Sequence, residues 1–133
     1  MNNKIEIRIP PLKEYIPAVR FTAALFANHV GFDIERIEDI KLVVGEACNN
    51  AVLYGDPGTN EISIQLYVEQ ESMFVDIIDK GYGFEIGKYK DPNLDEPDEG
   101  GFGIYIIKTL SDAMEIKSNQ ENGTFLNIRF NLV

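Results

Sequence analysis

The tract GEACNNA, residues 45–51, places polar side chains on an otherwise apolar helix. Nearly every residue from 42 to 54 is apolar or small, yet Glu46, Asn49 and Asn50 interrupt the run. Glu46 and Asn50 are one helical turn apart, so they share a helix face. Such polar groups beside apolar residues are unfavourable unless they are hydrogen-bonded or bind an ion. The tract therefore indicates either a binding site or a solvent-exposed helix face with two ordinary polar residues.

Before this tract, the chain shows the signals of one strand and two helices. Ile5, Ile7 and Ile9 alternate with polar residues, which predicts a half-buried strand. Apolar residues then recur at helical spacing from Lys13 to Val30, and Gly31 ends that helix. Asp33 is placed to cap a second helix. The predicted core stripe of that helix consists of Ile37, Ile40, Val44, Ala47, Cys48 and Ala51.

After the tract, the pattern changes to strands. Residues 62–68 and 73–77 alternate on either side of a short turn, which predicts a β-hairpin. Residues 81–101 show no sustained period and are predicted to form a long loop, interpreted as a lid. Residues 102–110 are predicted to be helical, residues 114–117 a strand, and a last strand follows the Asn122-Gly123 turn. The predicted order is β-α-α-β-β-lid-α-β-β.

Length and charge limit the classes of function. The 133 residues are predicted to form a single domain, residues 1–133, with one site. A net charge of −10, from 22 acidic and 12 basic residues, disfavours binding to nucleic acid or to a membrane surface. A protein partner or a small ligand fits this charge better. The absence of an export signal and the single cysteine predict a cytoplasmic protein without an intrachain disulfide.

Two glycine clusters carry further chemistry. In DKGYG, residues 79–83, Asp79 ends a predicted strand, where an acceptor can bind an adenine amino group and the glycines let a ligand approach. GGFG, residues 100–103, opens a helix, where backbone amides can hold phosphate. Neither the dinucleotide-binding fingerprint nor the P-loop is present in the sequence. The alternative is that these glycines only mark turns.

In order and spacing, the three clusters resemble the N, G1 and G2 boxes of the GHKL ATPase superfamily. GEACNNAV, DKGYGF, GGFGIYIIKTLSDAMEI and NGTFLNIRF are similar, over nearly the whole chain, to the RsbW-type anti-sigma-factor serine-protein kinases. The resemblance implies an α+β fold, a two-layer Bergerat-type sandwich with a mixed β-sheet covered on one face by three helices. It also implies ATP and Mg²⁺ as cofactors, a bound sigma factor, and phosphorylation of an anti-sigma-factor antagonist on serine or threonine.

The resemblance also implies roles for particular residues. Glu46 is the general base, Asn50 the Mg²⁺ ligand and Asp79 the adenine acceptor. The other site positions surround the nucleotide: Gly81 and Gly83 in the adenine pocket, Gly101 and Gly103 near the phosphates, and Thr124 at the start of the last strand. Thr124 has an ordinary alternative as a hairpin residue.

Two functions remain open at this point. The first is an ATP-dependent serine/threonine-protein kinase that also acts as an anti-sigma factor, which the carboxylate of Glu46 favours. The second is an ATP-binding module that holds a protein partner without phosphotransfer. Its support is the acidic character of the predicted lid, which contains Asp91, Asp95, Glu96, Asp98 and Glu99.

The family resemblance and the first strand together predict a homodimer. The family pairs its domains, and a strand at residues 5–9 can be left at a sheet edge, open to a partner.

Two further side chains receive ordinary interpretations. Cys48 is predicted to be a buried hydrophobic residue rather than a nucleophile, and Arg20 an ordinary surface charge on the polar side of the first helix.

Overall fold

The computed structural model of the chain describes residues 3–54, 61–79, 102–119 and 123–133. These residues form five strands and three α-helices, in the order that the sequence predicted. In chain order they are β1 (Ile5–Ile9), α1 (Ile16–Val30), α2 (Ile34–Tyr54), β2 (Ile62–Glu69), β3 (Ser72–Asp79), α3 (Phe102–Leu110), β4 (Ala113–Asn119) and β5 (Gly123–Asn131). The predicted lid lies outside the described residues.

The first helix begins later than the pattern predicted. Residues Lys13–Tyr15 form a 3-10 turn, and α1 starts at Ile16 with a proline in its first turn. Proline suits that position because its ring presets a helical φ and its missing N–H would have no partner there. Gly31 ends the helix in the left-handed conformation, with φ of 116°.

Helix α2 is capped and buried as predicted. The backbone N–H of Arg36 donates to Asp33 Oδ1 at 2.8 Å, which confirms the N-cap. Ile40, Val44 and Cys48 are completely buried on the core side, and Glu46 lies on another face, where it is half-buried. The polar interruptions of residues 45–51 are thus kept out of the main core.

The strands form one sheet in the order β1-β2-β3-β5-β4, and each of its four pairings is antiparallel. The prediction of a mixed sheet is corrected on this point, because the described strands contain no parallel neighbours. β3 and β4, which flank helix α3 in the chain, do run in the same direction. β5 inserts between them and is antiparallel to both.

The main core lies between the sheet and the helices. Alternate residues of β2, β3 and β5 are buried against α1, α2 and α3, among them Leu66, Val75 and Phe130. This arrangement confirms the predicted α+β two-layer sandwich. β1 pairs only with β2 in the described sheet and is an edge strand. None of the described helices has the length and apolar character needed to cross a membrane.

Candidate active site

The structure describes five of the eight residues predicted for the site. Glu46 and Asn50 lie on α2, Asp79 at the end of β3, Gly103 in the first turn of α3, and Thr124 near the start of β5. Gly81, Gly83 and Gly101 lie outside the described residues, as do the acidic residues of the predicted lid.

A small cavity between α2 and the sheet brings three of these residues together. Asn50, Asp79 and Thr124 all line it, although they are distant in the sequence. Ala47 and Ala51 form its helix side and leave room because their side chains are short. Ile77 and Leu126 supply an apolar floor from the sheet. The cavity therefore combines apolar walls with a few polar groups, as small-molecule sites commonly do.

Asp79 and Thr124 are direct neighbours across two strands. They are register partners in the β3–β5 pairing, and their exposed fractions are only 2% and 8%. A buried carboxylate is unfavourable unless its surroundings offer hydrogen-bond donors. The same position suits the carboxylate to accept a hydrogen bond from a ligand amino group in the cavity.

Glu46 lies at a second place, against the start of α3. A Cβ atom placed on Gly103 would lie 3.5 Å from Glu46 Oε2 and 3.9 Å from the Glu46 carbonyl oxygen. This is ordinary contact distance, so Glu46 itself does not demand glycine at position 103. The helix dipole makes this N-terminus favourable for negative charge, whether that of Glu46 or that of a phosphate.

The side chains of Glu46 and Asn50 make no hydrogen bond or ion pair within the described part of the chain. Both are half-buried. A half-buried carboxylate that is not engaged by neighbours can accept a proton from a bound hydroxyl or water. A half-buried amide carbonyl offers a hard oxygen ligand. These two residues have the chemistry needed for proton transfer and for cation binding.

A magnesium ion is compatible with this donor set. In the described residues, no three His, Cys, Asp or Glu side chains converge on one point. A cation beside Asn50 would therefore take most of its ligands from water and nucleotide phosphates. Mg²⁺ prefers that arrangement because it dehydrates reluctantly and uses only one or two protein oxygens.

Cys48 lies next to the site in sequence but takes no part in it. Its side chain is fully buried on the core side of α2, and burial raises the pKa of its thiol to about 12. The thiolate needed for nucleophilic attack is therefore scarce near neutral pH. The prediction that Cys48 is a buried hydrophobic residue is confirmed.

Two arginines make contacts that the sequence did not predict. Arg20 is half-buried rather than an ordinary surface charge, and its aliphatic stem passes over Gly45, the residue before Glu46. A Cβ atom at position 45 would lie 3.0 Å from Arg20 Cδ. The second, Arg36, donates a hydrogen bond to the backbone at the end of α3. A glycine inside a helix, such as Gly45, indicates that another group approaches the helix closely. No comparable feature of the sequence indicates the contacts of Arg36.

Comparison with known proteins places this fold in a defined class. Residues 9–130 match the family model of the histidine kinase-like ATPase domain. The chain thus belongs to the histidine kinase-like ATPases, a class consistent with the α+β sandwich.

Within that class, several similar proteins carry the name RsbW. The serine-protein kinase RsbW of Bacillus velezensis is 35% identical over 125 residues, which cover 86% of this chain and 78% of that protein. The RsbW of Oceanobacillus iheyensis is 35% identical, covering 92% and 82%, and that of Bacillus subtilis 32% identical, covering 86% and 78%. The chain is therefore a member of the RsbW family of serine-protein kinases.

Solved structures support the fold at lower identity. The structure of the RsbU and RsbW domains of a Mycobacterium tuberculosis protein superposes with a TM-score of 0.70 at 17% identity, covering 97% of this chain and 32% of that one. A blue-light-activated histidine kinase of Erythrobacter litoralis gives a TM-score of 0.62 at 20% identity, covering 92% and 42%.

Proposed function

We propose that this kinase uses ATP and Mg²⁺ to phosphorylate a serine or threonine of an anti-sigma-factor antagonist, and that it also binds a sigma factor. Membership of the RsbW family supports the phosphotransfer. The single structural observation that carries the proposal is the grouping of Asn50, Asp79 and Thr124 around one cavity. Glu46 extends that group towards the start of α3.

The proposed adenine end of the site is the small cavity between α2 and the sheet. Asp79 accepts a hydrogen bond from the adenine amino group, and Thr124, its neighbour on β5, lies beside it. Apolar contact with Ile77 and Leu126 fits the flat faces of a base. Gly81 and Gly83, outside the described residues, are assigned to the same pocket by family resemblance.

The proposed phosphate end of the site lies at the N-terminus of α3. Gly103, and Gly101 outside the described residues, allow a phosphate to approach backbone N–H groups there. The carbonyl oxygen of Asn50 would hold Mg²⁺, which supplies charge neutralisation for the β- and γ-phosphates when it is bound.

In the proposed chemical step, Glu46 is the general base. Its carboxylate accepts the proton of the attacking serine or threonine hydroxyl as the oxygen bonds to the γ-phosphorus. The bond from that phosphorus to the β,γ-bridging oxygen breaks, and ADP leaves with the bonding electrons. The products are the phosphorylated antagonist, ADP and a proton on Glu46 that passes to solvent.

Calorimetric titration of Mg·ATP tests the site. Asp79→Asn replaces the proposed adenine acceptor and Asn50→Ala the metal ligand, so each is expected to abolish measurable binding. Asn49→Ala is the matched control, because Asn49 is the adjacent amide on α2 but is exposed. Unchanged Mg·ATP affinity in both site variants would contradict the assignment of these residues to the nucleotide site.

The second function, an ATP-binding module without phosphotransfer, differs in one measurable result. Purified protein is incubated with labelled ATP and the antagonist whose gene lies nearest to its own gene. In a separate experiment, it is incubated with a sigma factor, with and without ATP. The kinase transfers label to the antagonist. Binding of the sigma factor that depends on ATP, without label transfer to any antagonist, would establish the binding module instead.

The proposal includes a homodimer in the cytoplasm. Family resemblance supports the pairing, and β1 lies at the sheet edge with one side of its backbone unpaired in the described sheet. Ile5, on that strand, is 40% exposed. Light scattering at micromolar concentration is expected to give twice the chain mass, with and without nucleotide. A monomer under both conditions would contradict the dimer.

A further inference from the structure

Helix α3 is attached to α2 at both of its ends. At its N-terminal end, Gly103 lies against Glu46. At its C-terminal end, Arg36 Nη1 donates to the carbonyl oxygen of Leu110 at 2.6 Å. Glu46 lies about 15 Å along α2 from Arg36, at 1.5 Å per residue. The two helices therefore run antiparallel, with the ends of α3 against two separate points of α2.

Arg36 acts as a C-cap supplied by another helix. The last carbonyl groups of a helix have no partner within it, and the end of the helix dipole favours positive charge. The guanidinium meets both needs at Leu110. Its charge is balanced by Asp39 on its own helix, at 3.2 Å, and by Asp112 beyond α3, at 2.7 Å.

The same guanidinium also reaches the sheet. Its Cζ lies 5.2 Å from the ring centroid of Phe130, a fully buried residue of β5. Asp112 Oδ2, which Arg36 binds, also accepts the backbone N–H of Asn131 at 2.7 Å. Arg36 thus joins α2, the end of α3, strand β5 and, through Asp112, the residue just before β4.

We propose that Arg36 is a positioning residue for the phosphate end of the nucleotide site. By holding the C-terminus of α3 on α2, it sets the direction of the helix and hence the place of its N-terminus beside Glu46. This inference rests on the proposed nucleotide site. The described lining of the adenine cavity comes from α2, β3 and β5 and includes no residue of α3. Loss of Arg36 should therefore weaken the hold on the phosphates and leave the hold on adenosine unchanged.

A matched pair of variants isolates this effect. Arg36→Met removes the cation and keeps an apolar stem of similar reach. Lys41→Met is the control, because Lys41 lies on the same helix and forms the same type of i,i+3 ion pair, with Glu38. The side chains of Arg36 and Lys41 are 24% and 23% exposed, so the two changes match in burial as well. Within the described residues, Lys41 makes no hydrogen bond or ion pair with α3, and its ammonium lies over Phe21 of α1.

The experiment measures the affinity of each variant for Mg·ATP and for adenosine by calorimetry, at a temperature where circular dichroism shows full folding. Arg36→Met is expected to weaken Mg·ATP binding about tenfold, the effect of losing a hydrogen bond to a charged group. Adenosine affinity should stay within about twofold, and Lys41→Met should leave both ligands unaffected. Arg36→Lys keeps the positive charge but loses the two-pronged guanidinium group, so it should give an intermediate loss of Mg·ATP affinity.

The outcomes separate the two proposals. Wild-type protein that binds neither ligand overturns the proposed site itself. Wild-type binding with equal losses for both ligands in Arg36→Met would show that Arg36 supports only the general fold. No loss for either ligand would overturn the positioning role. If Arg36→Met does not fold, Arg36→Lys carries the test, and the same selective loss of Mg·ATP affinity is required of it.

Discussion

Polar side chains at the two ends of helix α2 differ in how many hydrogen bonds and ion pairs they make. Near its N-terminus, Arg36 is bound by Asp39, Asp112 and a backbone carbonyl. Towards its C-terminus, Glu46 and Asn50 make no side-chain hydrogen bond or ion pair with the described residues. Both groups are partly buried, so the difference does not come from exposure alone.

This difference distinguishes a structural cluster from a candidate site. A buried polar group that stabilises a fold does so by pairing with its neighbours. A group that binds a ligand must keep its hydrogen-bonding capacity available, and the protein gives up stability to do so. Substitutions at the Arg36 end should therefore lower stability and act on the site only through the position of α3, whereas substitutions at the Glu46 end should lower function directly.

The largest expected effect is on chemistry at the site end. Glu46→Gln keeps the size of the side chain but removes the basic carboxylate, so phosphotransfer to the antagonist should fall about 10²-fold or more. Mg·ATP affinity should change little, because binding does not need the base. Single-turnover transfer of label and calorimetry on the same preparation measure the two quantities. Loss of nucleotide binding would instead assign Glu46 a structural or metal-ordering role.

The next effect concerns acid stability at the Arg36 end. Burial opposes ionisation of Asp112, but the Asn131 N–H and the Arg36 guanidinium outweigh it and lower the pKa of its carboxyl group. A lowered folded-state pKa means that the stabilisation is complete above the unfolded value, about 3.9, and is lost as pH falls through the folded value.

Asp112→Asn tests this linkage. The variant should lose about 0.5 to 1 kcal/mol of unfolding free energy near neutral pH, because the Asp112 side chain is 35% exposed and solvent screens the pair. The difference from wild type should shrink as pH falls below about 4 and through the lowered folded-state pKa, because the carboxylate is then protonated in both states. Urea unfolding from pH 3 to 7 measures it. Glu38→Gln, in a more exposed pair, is the control, and a difference independent of pH would contradict the prediction.

An effect of similar size and opposite sign is expected beside Glu46. Gly45→Ala should raise the unfolding free energy by about 0.5 to 1 kcal/mol, because glycine disfavours a helix interior. The added Cβ would press on Arg20 Cδ, part of a flexible side chain that can shift by the few tenths of an ångström required. Thermal unfolding measures the change. A lower melting temperature would show that Arg20 is held firmly in place.

The smallest expected effect is the stability change of Asn50→Ala. Alanine favours a helix over asparagine by about 0.5 kcal/mol, and no side-chain hydrogen bond within the described residues is lost. Stability should therefore hold or rise slightly while Mg·ATP binding is lost. A fall of more than about 1 kcal/mol in urea unfolding would show that Asn50 supports the fold, which would remove the contrast between the two ends of α2.

The candidate site was only partly predictable from local pattern. Spacing placed Glu46 and Asn50 on one face of α2, and glycine content marked the clusters at 79–83 and 100–103. Their roles came from the family resemblance, because a carboxylate after a strand does not specify its ligand. The pairing of Asp79 with Thr124 became visible only in the strand register, since hydrophobic alternation assigns faces but not neighbours.

Local sequence was sufficient for the elements themselves. The period of two in β1, the cap at Asp33 and the glycine after α1 depend on interactions within a few residues, so their signals lie close together in the chain. The buried stripe of α2 followed from the helical period for the same reason. The late start of α1 was the main departure, and Pro17 accounts for it.

Tertiary structure decided which of these elements meet. β5 lies between β3 and β4, although β4 precedes it in the chain, and alternation in each strand would fit other orders equally well. Arg36 binds a backbone carbonyl at the end of α3. Because every residue carries such a carbonyl group, no pattern of side chains could predict this contact. Contacts between distant backbone and side-chain groups depend on how the layers pack, which no local pattern encodes.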